Sequence, residues 1–540
     1  MTRIMILATA VAVAVVHNPP AASQKGTPTI PATNVVLRGA TVFDGTGSPG
    51  VKADVHLKGD RVTAVGALGK IDGATVVDAA GLYVCPGFID LHTHCDTGSP
   101  ALTDAAGRPN QNYVTQGVTT VVTGNCGSGP VDAGRFFAAL EAGGVGTNVV
   151  HQAPHNSIRE KVMGNENRAP TADELKRMEE LVEKALADGA VGLATGLIYN
   201  PGTYARTDEI VALARVVGRH GGLYASHIRN EGVGLLDAIE EAMRIGREGG
   251  CRVHVSHIKA SGTAAWGKSA AAVALIDDAR RKGLAVTADQ YPYVASSTSL
   301  RATLVPTRYR EGSKEDFVKR LDDPTVGPKM KADIAAALEG RAGGARIQIA
   351  RYAPKPAWQG KKLDAIADAE GKEPIDIVLE IERNGGAQVV NFGMSEEDVR
   401  VYMRQPWVAT ASDGSTHRPG TSVPHPRSYG TFPRKIGRYA IEEKLVPVEL
   451  AVRSASGLPA DILKLKDRGY IKAGYFADVV VFDPTTYRDT ATFDRPHQYA
   501  TGVKWVYVNG RPVIADGRFD PTVLAGRVLR FHRKTPAGEP

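Results

Sequence analysis

The sequence predicts an α/β protein, a (β/α)8 TIM-type barrel with a small discontinuous β-sandwich domain built from both chain ends. Three observations predict it. Eight short apolar runs in the middle of the chain each finish in a polar residue. Helical patterns, with apolar residues recurring at three and four, lie between many of these runs. Both ends of the chain instead alternate apolar and polar residues in short runs separated by Gly and Asp. Strand and helix alternating eight times is the pattern of a parallel barrel, and the alternating ends read as a separate β layer.

Taken in order, residues 1–23 carry Arg3, an apolar run from Ile4 to Val16, and small residues from Ala21 to Ser23. That is the pattern of a signal peptide. The apolar run is shorter than the about 20 residues a membrane span needs, so a periplasmic or extracellular protein without a membrane span is expected. Residues 34–84 form the first part of the β-sandwich. Residues 85–461 hold the barrel, with strands in FIDLHTH, TTVVTGNC, TNVVHQAPH, VGLATGLIY, GGLYASH, CRVHVSH, LAVTADQY and PWVATASD. The stretches ADELKRMEELVEKALADGA and TDEIVALARVVGRHG read as helices between them. The gap from about 295 to 404 is too long for one crossover and predicts an inserted subdomain. Residues 462–535 complete the β-sandwich, with Asn509-Gly510 marking a tight hairpin.

The chain has 540 residues, 43% hydrophobic and 23% charged, the composition of a soluble globular enzyme rather than a disordered or fibrous protein. The net charge of +7 is spread without a basic block, which argues against a nucleic-acid footprint and leaves a mild preference for anionic small molecules. Cys85, Cys95, Cys126 and Cys251 are too few to make a disulfide scaffold in so long a chain.

Functional residues of a barrel sit at the C-terminal ends of its strands. Six candidates fall there: His92 and His94 on strand one, Cys126 on strand two, His227 on strand five, His257 on strand six and Asp413 on strand eight. Side chains at i and i+2 of a strand share a side, so His92 and His94 converge. Three or four N, S or O ligands make a zinc site, and zinc acidifies water enough to attack amides or esters near neutral pH. Asp413 is placed to carry the proton to a leaving amine. Each residue has a plainer reading too. Cys126 reads as a buried thiol or half of a disulfide, His227 and His257 as core histidines, and Asp413 as a helix N-cap. His151, His155, His254 and His417 are taken as structural.

The ordered motifs PGFIDLHTHCD, GVTTVVTGNCG, GLATGLIYNPGTYA, GGLYASHIRNEG, VSHIKASG, DQYPYVASST, SDGS and HPRSYGTFPRKIGRY resemble the D-aminoacylase (N-acyl-D-amino-acid deacylase) branch of the amidohydrolase superfamily. The resemblance runs from about Val35 to the end. It implies a tightly held zinc on Cys126, His227 and His257, and a second, weaker site on His92 and His94 that the Cys126 thiolate bridges. It implies Asp413 as general acid/base, and Tyr199, Lys259, Tyr291 and Arg427 around the carboxylate of a small-molecule N-acyl amino acid. The implied reaction is hydrolysis of N-acyl-D-amino acids to a carboxylate and a free D-amino acid. Cys95 departs from the resemblance, as a thiol that would compete for metal. The alternatives are a cyclic-amide (hydantoinase- or dihydroorotase-like) or dipeptide hydrolase on the same fold, and a non-catalytic exported zinc-containing binding protein.

Overall fold

The computed structural model describes residues 33–531. The signal-type segment expected over residues 1–23 lies outside the described residues. Strand Phe88–Asp90 pairs in parallel with Val118–Thr123, which pairs with Asn148–His151. The third run breaks at Gln152 and resumes as Ala153–Pro154, which pairs with Gly192–Gly196. Leu223–His227, Arg252–Val255, Val286–Gln290 and Val408–Thr410 follow, each parallel to the one before. A parallel bridge between Thr93 and Gly414 joins the last strand to the first. The eight expected runs are thus the eight strands, and they read as apolar runs because a barrel strand is buried on both faces. Every residue of Val118–Thr123 is buried.

The helices between them follow the expected periodicity. Helix Ala172–Ala187 starts at a capping box of Thr171 and Glu174 and buries Met178, Val182, Ala185 and Leu186 along one face. Helix Thr207–Arg219 likewise buries Ile210, Leu213, Ala214 and Val217.

The two chain ends meet in one nine-stranded sheet. The junction is Tyr83–Pro86, antiparallel to Val479–Phe482. Val479 and Val481 face a core shared with Leu37, Val55, Leu57 and Tyr507, while Val480 and Phe482 face the barrel core. The expected discontinuous β layer is therefore realised as a single hydrogen-bonded sheet. Asn509 and Gly510, both at positive φ, make the expected hairpin between Val503–Val508 and Arg511–Ala515.

Most of the long segment after strand seven has its own core. Strands Ser296–Ser299, Ile347–Arg351 and Gln388–Asn391 form an antiparallel sheet, packed with helices around Leu300, Phe317, Ile334, Ile349, Ile377 and Val389. Its last helix, Glu396–Met403, returns to pack beside helix Ser269–Arg281 of the barrel. Among the described residues no helix is long and apolar enough to cross a membrane.

Candidate metal centre

All six strand-end candidates meet at one end of the barrel, and backbone amides and buried polar side chains hold them there. Asp90 accepts hydrogen bonds from the N–H of His92 at 3.1 Å and of Ser412 at 3.0 Å, tying strand one to strand eight. The Asn125 amide donates to the carbonyls of Leu91, Thr93 and Val122, at 3.2, 3.4 and 2.9 Å, and so fixes the Cys126 turn against strand one. Cys126, His257 and Asp413 all have left-handed backbone, with φ of 51°, 36° and 51°. Such backbone costs energy and concentrates at functional sites. The Cys126 turn also needs Gly127, at φ 72°, where a Cβ would lie 2.1 Å from Asn156 Oδ1.

Cys126 Sγ stands 3.3 Å from His92 Nε2, 3.4 Å from His227 Nδ1 and 3.5 Å from His257 Nε2. The thiol has a single proton, so at most one of these nitrogens accepts from it and the other imidazoles could bond only by donating to sulfur, a weak acceptor. A tetrahedral ion with bonds of about 2.3 Å to sulfur and about 2.1 Å to nitrogen sets its ligand atoms about 3.6 Å apart, and the observed spacings fit. The donor atoms form two groups, Cys126 with His227 and His257, and His92 with His94, Cys126 and Asp413. Cys126 belongs to both.

Carboxylates stand behind the imidazoles. Asp289 Oδ2 is 3.4 Å from His92 Nδ1, and Glu231 Oε1 is 3.1 Å from His257 Nδ1 and 3.6 Å from His227 Nε2. Among the described residues, buried His92 Nδ1 and His227 Nε2 have no hydrogen-bond partner. A carboxylate behind an imidazole selects the tautomer whose other nitrogen is free to ligate. At His257 the choice is open, because Lys259 Nζ also stands 2.7 Å from Nδ1 and 2.5 Å from Glu231 Oε1. Donation by Lys259 to Nδ1 would leave the proton on Nε2 and block ligation. Donation from Nδ1 to Glu231 frees Nε2, and leaves Lys259 the partner of Glu231.

Burial pushes the His92 imidazole down to about 4 and the His227 imidazole well below its usual value, so both are neutral donors at pH 7. Burial, with the Asp413 charge next, pushes the Cys126 thiol well up. A cation is what would turn it into a thiolate. Burial would also raise the Asp413 carboxyl, but Arg427, then His257 and His92, outweigh it and hold the group well below the usual carboxylate range. Asp413 accepts from or faces His94 Nε2 at 3.0 Å and pairs with Arg427 Nη1 at 2.7 Å.

The cavity above these groups measures about 460 Å³, within the usual range for small-molecule sites. His94, Cys126, Asp413, Tyr199 and Arg427 line it. The Tyr199 ring sits edge-on to His227, and its hydroxyl accepts from Thr298 Oγ1 at 3.0 Å. Tyr291 is buried beneath the cations, with Arg427 4.7 Å and Lys259 5.6 Å from its ring. The strand-end rule did not find Asp90, Asn125, Glu231 or Asp289 as supports, although FID and DQY end strands. His417, read as structural, lines the cavity. His151 and His254 keep structural partners, in Thr123 and the Pro130 carbonyl, and in Thr287 and Asp289. All four cysteines are free and buried. Cys95 is in neither donor group; it lies in the turn after the first barrel strand, against Thr93, Tyr113 and Thr416.

The sequence matches the amidohydrolase family model over residues 75–514. It is 38% identical over 519 residues to the D-aminoacylase of Alcaligenes xylosoxydans xylosoxydans, covering 92% of this chain and 97% of the relative. It is 36% identical over 520 residues to the N-acyl-D-glutamate deacylase of the same organism, covering 92% and 96%. The crystal structure of N-acyl-D-glutamate deacylase from Bordetella bronchiseptica, in complex with zinc and a phosphonate mimic of the tetrahedral intermediate, superposes with a TM-score of 0.78. That match is at 34% identity and covers 92% of this chain and 99% of that one.

Proposed function

The chain belongs to the amidohydrolase family, in the branch of D-aminoacylase and N-acyl-D-glutamate deacylase, and on that premise we propose that it hydrolyses the amide bond of N-acyl-D-amino acids. The products are a carboxylate and a free D-amino acid. The observation that carries this reading is the crowding of three imidazole nitrogens within 3.5 Å of one thiol, beside a carboxylate paired with an arginine. Such a set has the donors for a metal and the groups for proton transfer and carboxylate binding in one cavity.

Cys126, His227 and His257 would hold zinc tightly, and His92 and His94 a second, weaker ion that shares Cys126. Zinc, the metal in the related deacylase structure, supplies an acidified water and a polarised acyl carbonyl when bound. The remaining work falls to this chain's side chains. Asp413 is ionised at neutral pH, so it takes a proton from the attacking water and gives it to the nitrogen of the departing amine. Arg427 and Lys259, with Tyr291 beneath them and Tyr199 alongside, hold the α-carboxylate. Fixing that carboxylate sets the amide across the mouth of the barrel and in reach of Asp413. Export belongs to the same reading, supported by the charged, apolar and small residues of positions 1–23.

The test is amine release by zinc-loaded protein from matched N-acetyl-D- and N-acetyl-L-amino acids, with and without a chelator. Chelator-sensitive release from the D series is the expected result. Release only from cyclic amides or dipeptides would overturn the proposal.

A further inference from the structure

The cavity has a second cationic corner that the reaction as described does not use. We propose that Arg351, on the inserted subdomain, recognises a second carboxylate of the substrate, so that the preferred substrates are N-acyl-D-amino acids with two acidic groups. The proposal rests on the deacylase reading above and names its substrate class.

Three observations support it. First, Ser299, Gln388 and Arg351 stand in one row across three strands, because Gln388 is the register partner of both Ser299 and Arg351. All three line the cavity, so the subdomain presents a polar face to it rather than a packing face. Second, Arg351 makes no ion pair among the described residues, while the cavity's other arginine, Arg427, pairs with Asp413 and is already assigned to the α-carboxylate. Among the described residues Asp413 is the only carboxylate lining the cavity, which leaves the Arg351 charge without an acidic partner there. Third, none of the described residues lining the cavity is Val, Leu, Ile, Met, Phe or Trp. A pocket for a leucine or methionine side chain would be lined by such residues.

The strand end that carries Arg351 is anchored through its backbone. The carbonyl of Ala350 accepts a hydrogen bond from Val423 N–H at 2.8 Å, which ties this strand end to the loop after Asp413. The exposed Arg351 guanidinium beyond that strand end offers a planar pair of donors to a carboxylate. With Arg427 and Lys259 on the α-carboxylate, the second acid lies on the amino-acid side chain or on the acyl group. Both present the same chemistry to Arg351.

The experiment compares kcat/KM of the zinc-loaded full chain on N-acetyl-D-glutamate, N-succinyl-D-alanine and N-acetyl-D-leucine, for wild type, Arg351→Leu and Arg351→Lys. The expected result is a preference of about tenfold or more for one diacid over the leucine compound. Arg351→Leu should reduce that ratio about tenfold, mainly through KM, and Arg351→Lys should keep part of it. Whichever diacid responds says which half of the substrate meets Arg351. A wild type that favours the leucine compound, or an Arg351→Leu that lowers all three rates alike, overturns the proposal and leaves the deacylase reading standing. Turnover of none of the three overturns both.

Discussion

Arg427 Nη1 stands 2.7 Å from Asp413 Oδ2, so the side chain assigned to the substrate carboxylate already holds the side chain assigned to proton transfer. An ionised Asp413 held by a cation is a weak base. When a substrate carboxylate draws on the same guanidinium, Asp413 becomes a stronger one, which couples substrate binding to the readiness of the base.

Asp413→Asn keeps the shape and removes the base. It should lower kcat by about 10²–10⁴-fold with zinc content unchanged, as read by metal analysis of the same preparation. A change within twofold would count against the assignment.

Arg427→Met removes the cation that counts most in lowering the Asp413 carboxyl. The acid limb of the kcat/KM profile should then move to higher pH, together with a rise in KM. An acid limb that stays in place while KM rises would limit Arg427 to substrate binding.

Glu231→Gln tests the support behind two imidazoles, since Glu231 Oε1 faces both His257 Nδ1 and His227 Nε2. Loss of an outer carboxylate should weaken zinc binding by about 10–100-fold, measured by competition with a chromophoric chelator. An unchanged affinity would assign the tautomer choice at His257 to another group.

Gly127→Ala adds one methyl group and touches no ligand atom. It forces a Cβ to 2.1 Å from Asn156 Oδ1 at a positive φ, which should cost about 1–3 kcal/mol and reduce bound zinc, read by thermal melting and metal analysis.

The metal-free protein should lose stability as pH falls from about 6.5 to about 4. His92 and His151 are pushed down to about 4 by burial, and unfolding restores them to about 6.5. Between those values the unfolded chain binds more protons than the folded one, so stability falls with pH in that window and levels off below it for these two groups. Urea midpoints of the chelator-treated protein at pH 4.5, 5.5 and 7 measure the slope.

The barrel could be read from the sequence because its strands end in chemistry-bearing residues at regular intervals. His92, His94, Cys126, His227, His257 and Asp413 were found in this way, and each lies within reach of another in the structure. Glu231 and Asp289 were not found, since an acid in RNEG or DQY has no period that says which imidazole it will face. That depends on the angle between adjacent strands and on the loop after strand five. Arg351 and Gln388 were out of reach for a different reason. The row they share with Ser299 joins Gln388 to residues 89 and 37 positions before it, and no local pattern gives such a pairing. The expectation of a β-sandwich identified the right strands, but alternation cannot say whether two halves form two sheets or join into one.

The joined sheet also affects how the chain comes to be folded. Tyr83–Pro86 has its partner in Val479–Phe482, which leaves the ribosome roughly 400 residues later. At about 5–20 residues per second that is a wait on the order of 20–80 s. Throughout that time the first strands present an open edge, the kind of surface that invites pairing with another chain. Nascent protein is therefore most exposed to aggregation and to chaperone capture before its last sixty or so residues are made, and a truncation there would act on the whole molecule, although it removes no residue of the site.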